Sequence, residues 1–322
     1  MHKRVYGVLG IVSRMSNWNA DFSGYPKTIS TGEVFGSDKA FKFPIKKMWE
    51  QQGKKVLYIK SLKLSEDKKG EISLVPRSLK ERYEHIFSVE DLKKEKDNRA
   101  VLVNLFKAID VKNFGATFAE ENNNISITGA VQIGQGFNKY DDTYPEEQQI
   151  LSPFRDASEK EGKKKEKAEE KGDAKASTIG SKIVSNEAHY FYPFAINPNV
   201  YDEFKAMGVT EGYTEEDYTA FKEAALVAAT SYSTNSKIGC ENEFAIFVET
   251  EKELYLPNLA QYIAFKKSDS GKDKIILGFN ELLNDVKNRI HSIEIYYNPY
   301  TTNLEGQIEG AKKMNIFTQK EV

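Results

Sequence analysis

Residues 5–14, VYGVLGIVSR, and residues 38–52, DKAFKFPIKKMWEQQ, decide how this chain is read. The first stretch alternates small and apolar residues as a central strand does, and Val5 to Val12 has the character of a buried one. In the second, Ile45, Met48 and Trp49 lie at helical spacing and Gly53 follows as a stop. Pro44 suits a first-turn position better than a helix interior, so the helix is expected to begin there. Ser13 to Gly36, between them, is a polar loop bearing glycine.

Working outward, Lys55 to Leu64 reads as a strand and is followed by a helical insertion, Pro76 to Phe87 and then Ser88 to Ile109. Ser88 with Asp91 has the spacing of a capping box. Asn113 to Phe118 and Ile125 to Ile133 are expected as strands. The run from Ala157 to Ser177 is almost pure Lys, Glu, Ala, Gly and Ser, cannot bury apolar surface and is expected to be a mobile excursion. His189 to Ile196 returns as an aromatic-rich strand. Thr214 to Tyr232 is an amphipathic helix with Thr214 and Asp217 as its capping box. Phe244 to Glu249 reads as a strand, Asn280 to Ile290 as a helix, and Ser292 to Tyr297 as a last strand. Without insertions the order is strand, helix, strand, strand, helix, strand, the ferredoxin-like α+β arrangement of RNA-recognition modules. No internal repeat is visible. A parallel βαβ nucleotide-binding sheet competes, but no glycine fingerprint sits where it would need one.

At 322 residues the chain can bury a sizeable core. Charge is sorted along it. Up to Lys63 there are 12 Lys and Arg against 4 Asp and Glu, a net of +8, whereas from Tyr201 onward 13 face 20, a net of −7. The positive end also holds Trp18, Phe22 and Tyr25, read as exposed, and a basic surface with interleaved aromatics suits a polyanion with stackable bases. No apolar run approaches a membrane span, and Met1-His2-Lys3-Arg4 leads into alternating apolar residues rather than a signal-peptide core. A lone Cys240 excludes an internal disulfide, and with four scattered histidines it argues against a structural zinc. A cytoplasmic protein without cofactor, metal or membrane partner is expected.

Catalytic signatures are missing: no Walker loop, HExxH, GxSxG or CxxC occurs, and the Gly32 to Gly36 segment lacks a phosphate-gripping lysine. Asp21 could hold a metal or a proton, but a lone loop aspartate is usually a turn former. In Lys39, Lys42, Lys46 and Lys47 the spacing places several ammonium groups on one helical side. They suit a phosphate backbone, or form an ordinary solvated helix face. The loop Ser13 to Lys27 adds neutral donors, charge from Arg14 and Lys27, and a stacking face from Trp18, unless its aromatics tuck onto the body.

The strand-loop-helix from Tyr6 to Trp49 resembles the amino-terminal signature of the CRISPR-associated Cas-seven family, the backbone subunit of type I Cascade complexes. The matching positions are Asn17 to Lys27, then Gly32 with Ser37 and Asp38, then Lys42, Ile45 and Lys46. Asp110-Val111 with Phe114-Gly115, Thr128 to Gln132, Thr178 to Lys182 with Asn197-Pro198, and Thr234 to Lys237 resemble further family segments, in order. Subtype I-B (Csh-two-like) is the nearest branch. Here the first-loop glycine arrives only at Gly24, Ala20 stands where a glycine is common, and Phe43 and Pro44 replace basic residues.

The resemblance implies a single RNA-recognition-like palm (1–322) with a helical fingers insertion (66–105) and a thumb hairpin (137–182), its charged tip at 157–177. It implies a crRNA-binding subunit, not an enzyme, whose copies polymerise along the guide spacer beside other Cascade subunits and present it to target DNA for antiviral defence. Lys42, Lys46 and Lys47 are then expected on phosphates, Arg14, Asn17, Trp18 and Lys27 lining the groove, and Lys182 and Lys237 clamping the strand. The alternative is a type III-like endoribonuclease using Asp21. A structural protein that binds only proteins is the third possibility.

Overall fold

Gly7 and its neighbours explain where the first strand goes. A Cβ at Gly7 would lie 1.9 Å from the Ile246 carbonyl oxygen and 2.5 Å from the Phe194 ring, so only glycine admits both neighbours this close. Val5, Leu9 and Ile11 enter one core and Tyr6 and Val8 another, so the strand is buried on both faces. Full double-sided burial is the condition under which a strand reads as continuously apolar.

The computed structural model describes residues 1–151 and 179–322. In chain order these form β1 (Arg4–Ser16), β2 (Phe35–Gly36), α1 (Asp38–Gln51), β3 (Leu62–Glu66), β4 (Ile72–Pro76) and α2 (Leu79–Phe87). Then come α3 (Asn98–Lys107), α4 (Ile109–Phe114), β5 (Gly115–Phe118), β6 (Ile125–Thr128), β7 (Val131–Ile133), β8 (Gly136–Asn138) and β9 (Pro145–Leu151). The second half holds β10 (Ile179–Ile196), α5 (Asp202–Ala206), α6 (Glu215–Ser231), β11 (Cys240–Thr250), β12 (Ile263–Lys266) and β13 (Asp273–Leu277). It closes with α7 (Asn280–Asp285), β14 (Ile290–Tyr297), β15 (Thr302–Glu305) and β16 (Ala311–Asn315).

The fold is mixed α and β around one large sheet, ordered β16-β14-β11-β1-β10-β8-β2, with β7 and β9 also pairing with β10. β1 is antiparallel to β10 (Val5 opposite Ile196) and to β11 (Val5 opposite Glu249). β10 passes through α6 and returns as β11 on the far side of β1, while β1 passes through α1 and eventually returns as β7 beyond β10. Two split strand-helix-strand units thus interlock. Phe41, Ile45 and Trp49 of α1 join Phe221 and Ala225 of α6 in the larger core on one sheet face. The other face carries a second core against β12-β13-β15 and α7, built on Ile263, Ile275, Leu277 and Leu283.

Several sequence expectations change. α1 begins at Asp38 and runs through Pro44, because Ser37 caps it (Oγ accepts from Ala40 N, 3.3 Å) and burial of Pro44 offsets the lost ladder bond. Lys55 to Ser61 is not a strand: the Asp110 carboxylate takes the amides of Leu57 and Tyr58, each at 2.8 Å, in place of a ladder. The segment expected to be helical from Glu66 starts instead with the β3–β4 hairpin, Leu64 opposite Leu74. Ser88 ends α2 in a left-handed conformation rather than opening a helix, and the capping box belongs to Ser78 and Glu81. Residues 109–114 are helical, so the strand expected from Asn113 starts at Gly115. The helix expected from Asn280 stops at Asp285, and two strands follow the one expected as last. The capping box of Thr214 and Asp217 is present. The expected tip 157–177 lies outside the described residues; β9 and the start of β10 pair with each other, Pro145 opposite Ser185.

An ionic seam joins the two sheets. His189 of β10 is fully buried, with Nδ1 2.8 Å from Glu243 and Nε2 3.2 Å from Glu187, and the Phe265 ring of β12 stacks on it at 3.6 Å. Tyr140 packs edge-on against both rings. Glu187 also takes Arg14 and Lys267, each at 2.8 Å, and Asp273 takes Lys267 at 3.2 Å. Burial would lower the His189 pKa, but the Glu243 and Glu187 carboxylates more than offset it and raise it. Burial would raise Glu187, and the hydrogen bonds from His189, Lys267 and Arg14 instead drive it far below the carboxylate range.

A raised imidazole pKa stabilises the fold fully below the unfolded value of about 6.5, and that contribution is lost as pH rises through the folded value. We predict that His189→Gln destabilises by about 3 kcal/mol at pH 6, in the range for a broken buried pair. Chemical denaturation at stepped pH checks this: the gap between wild type and variant should narrow from pH 6 to pH 9.

Candidate nucleic-acid interface

The polar loop after β1 is tied down at its root. Asn17 N donates to Ser236 O at 2.9 Å, and Asn17 Nδ2 donates to the carbonyls of Gly24 (2.8 Å) and Ile183 (3.2 Å). Lys237 Nζ donates to the carbonyls of Asn17 and Trp18, both at 2.6 Å. Asn19 Oδ1 accepts from Ser37 N at 2.7 Å, joining the loop to the start of α1. The sheet end therefore gathers residues 17–34, residues 232–239 and the β9–β10 pair into one ledge.

Trp18 is not a stacking face. Its indole is 2% exposed and Nε1 donates to Tyr192 Oη at 2.5 Å, so the expected exposure is overturned. Gly36 makes room for this pair: a Cβ there would fall 1.7 Å from Tyr192 Oη and 2.8 Å from the indole. Asn17, 5% exposed, is likewise a scaffold residue rather than a groove wall. Of the loop aromatics, Phe22 is fully exposed and Tyr25 is 39% exposed.

The α1 lysines have partners within the chain. Lys42 pairs with Asp38 at 2.9 Å, Lys46 lies 3.7 Å from Asp110, and Lys47 pairs with Glu50 at 2.8 Å, which also takes Arg82 at 2.9 Å. Lys42 and Lys46 lie over Phe114, whereas Lys47 turns toward Glu50 and Arg82. Burial lowers the Lys46 pKa, Asp110 only partly opposing it. The expected common row of free ammonium groups is thus not what α1 presents. Burial also lowers the pKa of Lys237, whose charge is spent on backbone carbonyls.

Arg14 is shared with Glu187 in the seam. Lys27, Lys39 and Lys182 remain: among the described residues none has a carboxylate within 4.0 Å. Lys182 Nζ reaches Asn235 Oδ1 at 3.4 Å, and Lys27 Nζ sits 5.6 Å from the centre of the Phe35 ring. Both lie at the ledge, with Lys39 in the first turn of α1 below it. Asp21 is a turn former, its Oδ1 accepting from Ser23 N (2.8 Å) and Tyr25 N (3.0 Å). Among the described residues no cluster of His, Cys, Asp and Glu has metal-binding geometry, and no described helix is long and apolar enough to cross a membrane. Sequence reasoning missed Asp110, although it flagged the Asp110-Val111 motif; a lone aspartate between apolar segments was the available signal. It also missed the pairing of His189, which opens a recognised strand segment, with Glu243, which directly precedes another.

Lys237→Ala is predicted to cost about 1.5–3 kcal/mol, since hydrogen bonds from a charged donor carry that weight. Lys47→Ala is expected to cost less than about 1 kcal/mol, as a partly exposed pair. Denaturant midpoints of the two variants provide the comparison.

The sequence model of the family described as CRISPR-associated protein Cas7 matches residues 3–281. A solved chain titled "CRISPR RNA-guided surveillance complex, pre-nicking" superposes with a TM-score of 0.55 at 15% identity, covering 97% of each chain. A second, from a "CRISPR RNA-guided surveillance complex", gives 0.47 at 15% identity over 92% of this chain and 91% of that one. The first likeness establishes the fold. No curated protein matches by sequence.

Proposed function

Because the chain belongs to the family of CRISPR-associated protein Cas7, we propose that it is a crRNA-binding backbone subunit of a type I surveillance complex, of the I-B branch. In this reading copies stack along the guide, hold it by its backbone and leave its bases to pair with target DNA. The division of labour is that of RNA-guided effectors generally, with the protein gripping shape and charge while base pairing reads sequence. A head-to-tail contact of this kind is heterologous and builds an open filament.

The observation that carries the proposal is the family match across 3–281, joined to the ledge where Lys27 and Lys182 stand without carboxylate partners among the described residues. The strand order β11-β1-β10-β7, with two interlocked split units, supports reading the centre as a ferredoxin-like palm. The second core covers the sheet face that RNA-recognition modules leave open, so the strand path is drawn along the loop end instead. Residues 66–105 are read as fingers and 137–182 as thumb. A non-catalytic role is supported by the Asp21 carboxylate, one of whose oxygens serves two amides of its own turn.

Phenol extraction of the purified protein is expected to release RNA of uniform length. For single-stranded RNA each phosphate contact adds about 0.7 to the slope of log affinity against log salt. Lys27→Ala/Lys182→Ala should therefore lower the slope by about 1.4 and weaken binding, whereas Lys47→Ala should change neither. An RNA-free protein, or equal slopes for all three, overturns the proposal. Regular metal-dependent cuts in a complementary RNA, abolished by Asp21→Ala, would overturn the non-catalytic role.

A further inference from the structure

The β3–β4 hairpin is patterned inside out. Its ladder sets Leu62 opposite Pro76, Leu64 opposite Leu74 and Glu66 opposite Ile72, so these six residues share one face. Five of them are apolar, and Leu64, Ile72 and Leu74 are 72%, 68% and 62% exposed. The reverse face carries Lys63, Ser65, Ser73 and Val75, and Lys63 ties it to α2 through an ion pair with Glu81. A two-stranded hairpin needs a further layer over its apolar face. Within the chain, no described residue supplies one to Leu64 or Leu74. Contiguous apolar patches of roughly 300–600 Å² are the largest that monomers expose and often mark a contact site, and five such side chains reach that scale.

A receptor for this face exists on the same chain. Two hollows, of about 230 and 240 Å³, share Gly134, Pro193 and Asn258 and form one groove over β10. Its walls are largely apolar, with Ala195, Leu256 and Pro257 at one end and Phe137 at the other. Residues two apart on a strand stand about 6.5–7 Å apart on one face, so both leucines of β3 can enter adjoining hollows. Charge matches as well. Glu66 closes the apolar face at the turn end of the hairpin, and Lys139 lines the Phe137 end of the groove. Neither has an ion-pair partner among the described residues.

We propose that the hairpin face of one copy seats in the groove of the next, with Glu66 facing Lys139. The inference rests on the filament reading above and gives it a contact surface apart from the β9–β10 arm. The hairpin hangs on α2, whose Tyr83 lies in the larger core, whereas the groove is built over Tyr6, Phe191 and Leu259 of the second core. The two halves thus belong to opposite sheet faces. A two-fold pair cannot fill both at once, so the contact is heterologous and stays open at each end. A patch of this size falls short of the roughly 800 Å² per partner that a stable complex buries. The contact is therefore weak alone and holds when copies already sit side by side on a strand. Loading becomes cooperative, each seated copy raising the affinity of the next.

The test uses the full chain, first without RNA and then with uridine homopolymers. In sedimentation at high protein concentration the wild-type mass should rise without stopping at a dimer, and Leu64→Ser/Leu74→Ser should stay monomeric. Polyuridine should bind wild type about tenfold tighter than an oligouridine that seats one copy, within the usual range for coupled sites. The hairpin variant should lose that factor and keep its oligouridine affinity. Glu66→Lys and Lys139→Glu should each weaken self-association severalfold, and the two mixed or combined should restore it, a rescue that a folding defect does not imitate. A closed dimer, missing rescue, or normal self-association in Leu64→Ser/Leu74→Ser overturns the contact, the last result assigning the face to a different protein. Each leaves the RNA reading intact. Wild type that self-associates and is rescued as stated but binds no RNA supports the contact and overturns the RNA reading.

Discussion

The double-sided burial of β1 is the constraint on which the other features depend. A strand with apolar residues on both faces needs a helical layer on one side and a second apolar layer on the other. The chain supplies α1 and α6 for the first and the β12-β13-β15 sheet for the second. Gly7 lets the Phe194 ring and the β11 backbone close over the strand. With β1 held so, its end delivers Asn17 and Trp18 to the same spot in every molecule, and the loop they open is fixed before any ligand arrives.

Charge is handled differently in the interior and at the ledge. In the interior, cationic groups are committed within the chain, His189 to Glu243, Lys46 to Asp110 and Lys237 to two backbone carbonyls. Such groups are desolvated, and their energy is already committed to the fold. At the ledge, the partners of Lys27 and Lys182 among the described residues are neutral, an aromatic ring and an asparagine oxygen, and leave the charge available. A surface that must hold a polyanion without regard to its sequence needs charge of the second kind.

The loop after β1 shows how scaffold and function share a few residues. Trp18 and Asn17 face inward and take the hydrogen bonds that would otherwise leave the turn loose. That inward commitment frees Phe22, Tyr25 and Asp21 to stand at the rim of the ledge. Lys237 contributes by donating to two carbonyls of the loop, a positioning task performed by a side chain whose charge alone suggests another.

Much of the architecture was legible in the chain itself. β1, α1, α6 and the β11 region declare themselves by local periodicity and by the cap at Thr214, because these depend on residues a few positions apart. The charge sorting and the ordered family segments were equally readable. What only the tertiary structure decided is partnership. Lys237 meets Asn17 across 220 residues and Lys46 meets Asp110 across the fingers segment. Pro44 stays within its helix because its ring is buried, and Trp18 turns inward because Tyr192 offers a hydroxyl. Periodicity states which residues can be inside. Which ammonium is neutralised and which is left for a ligand follows from contacts that no local window contains.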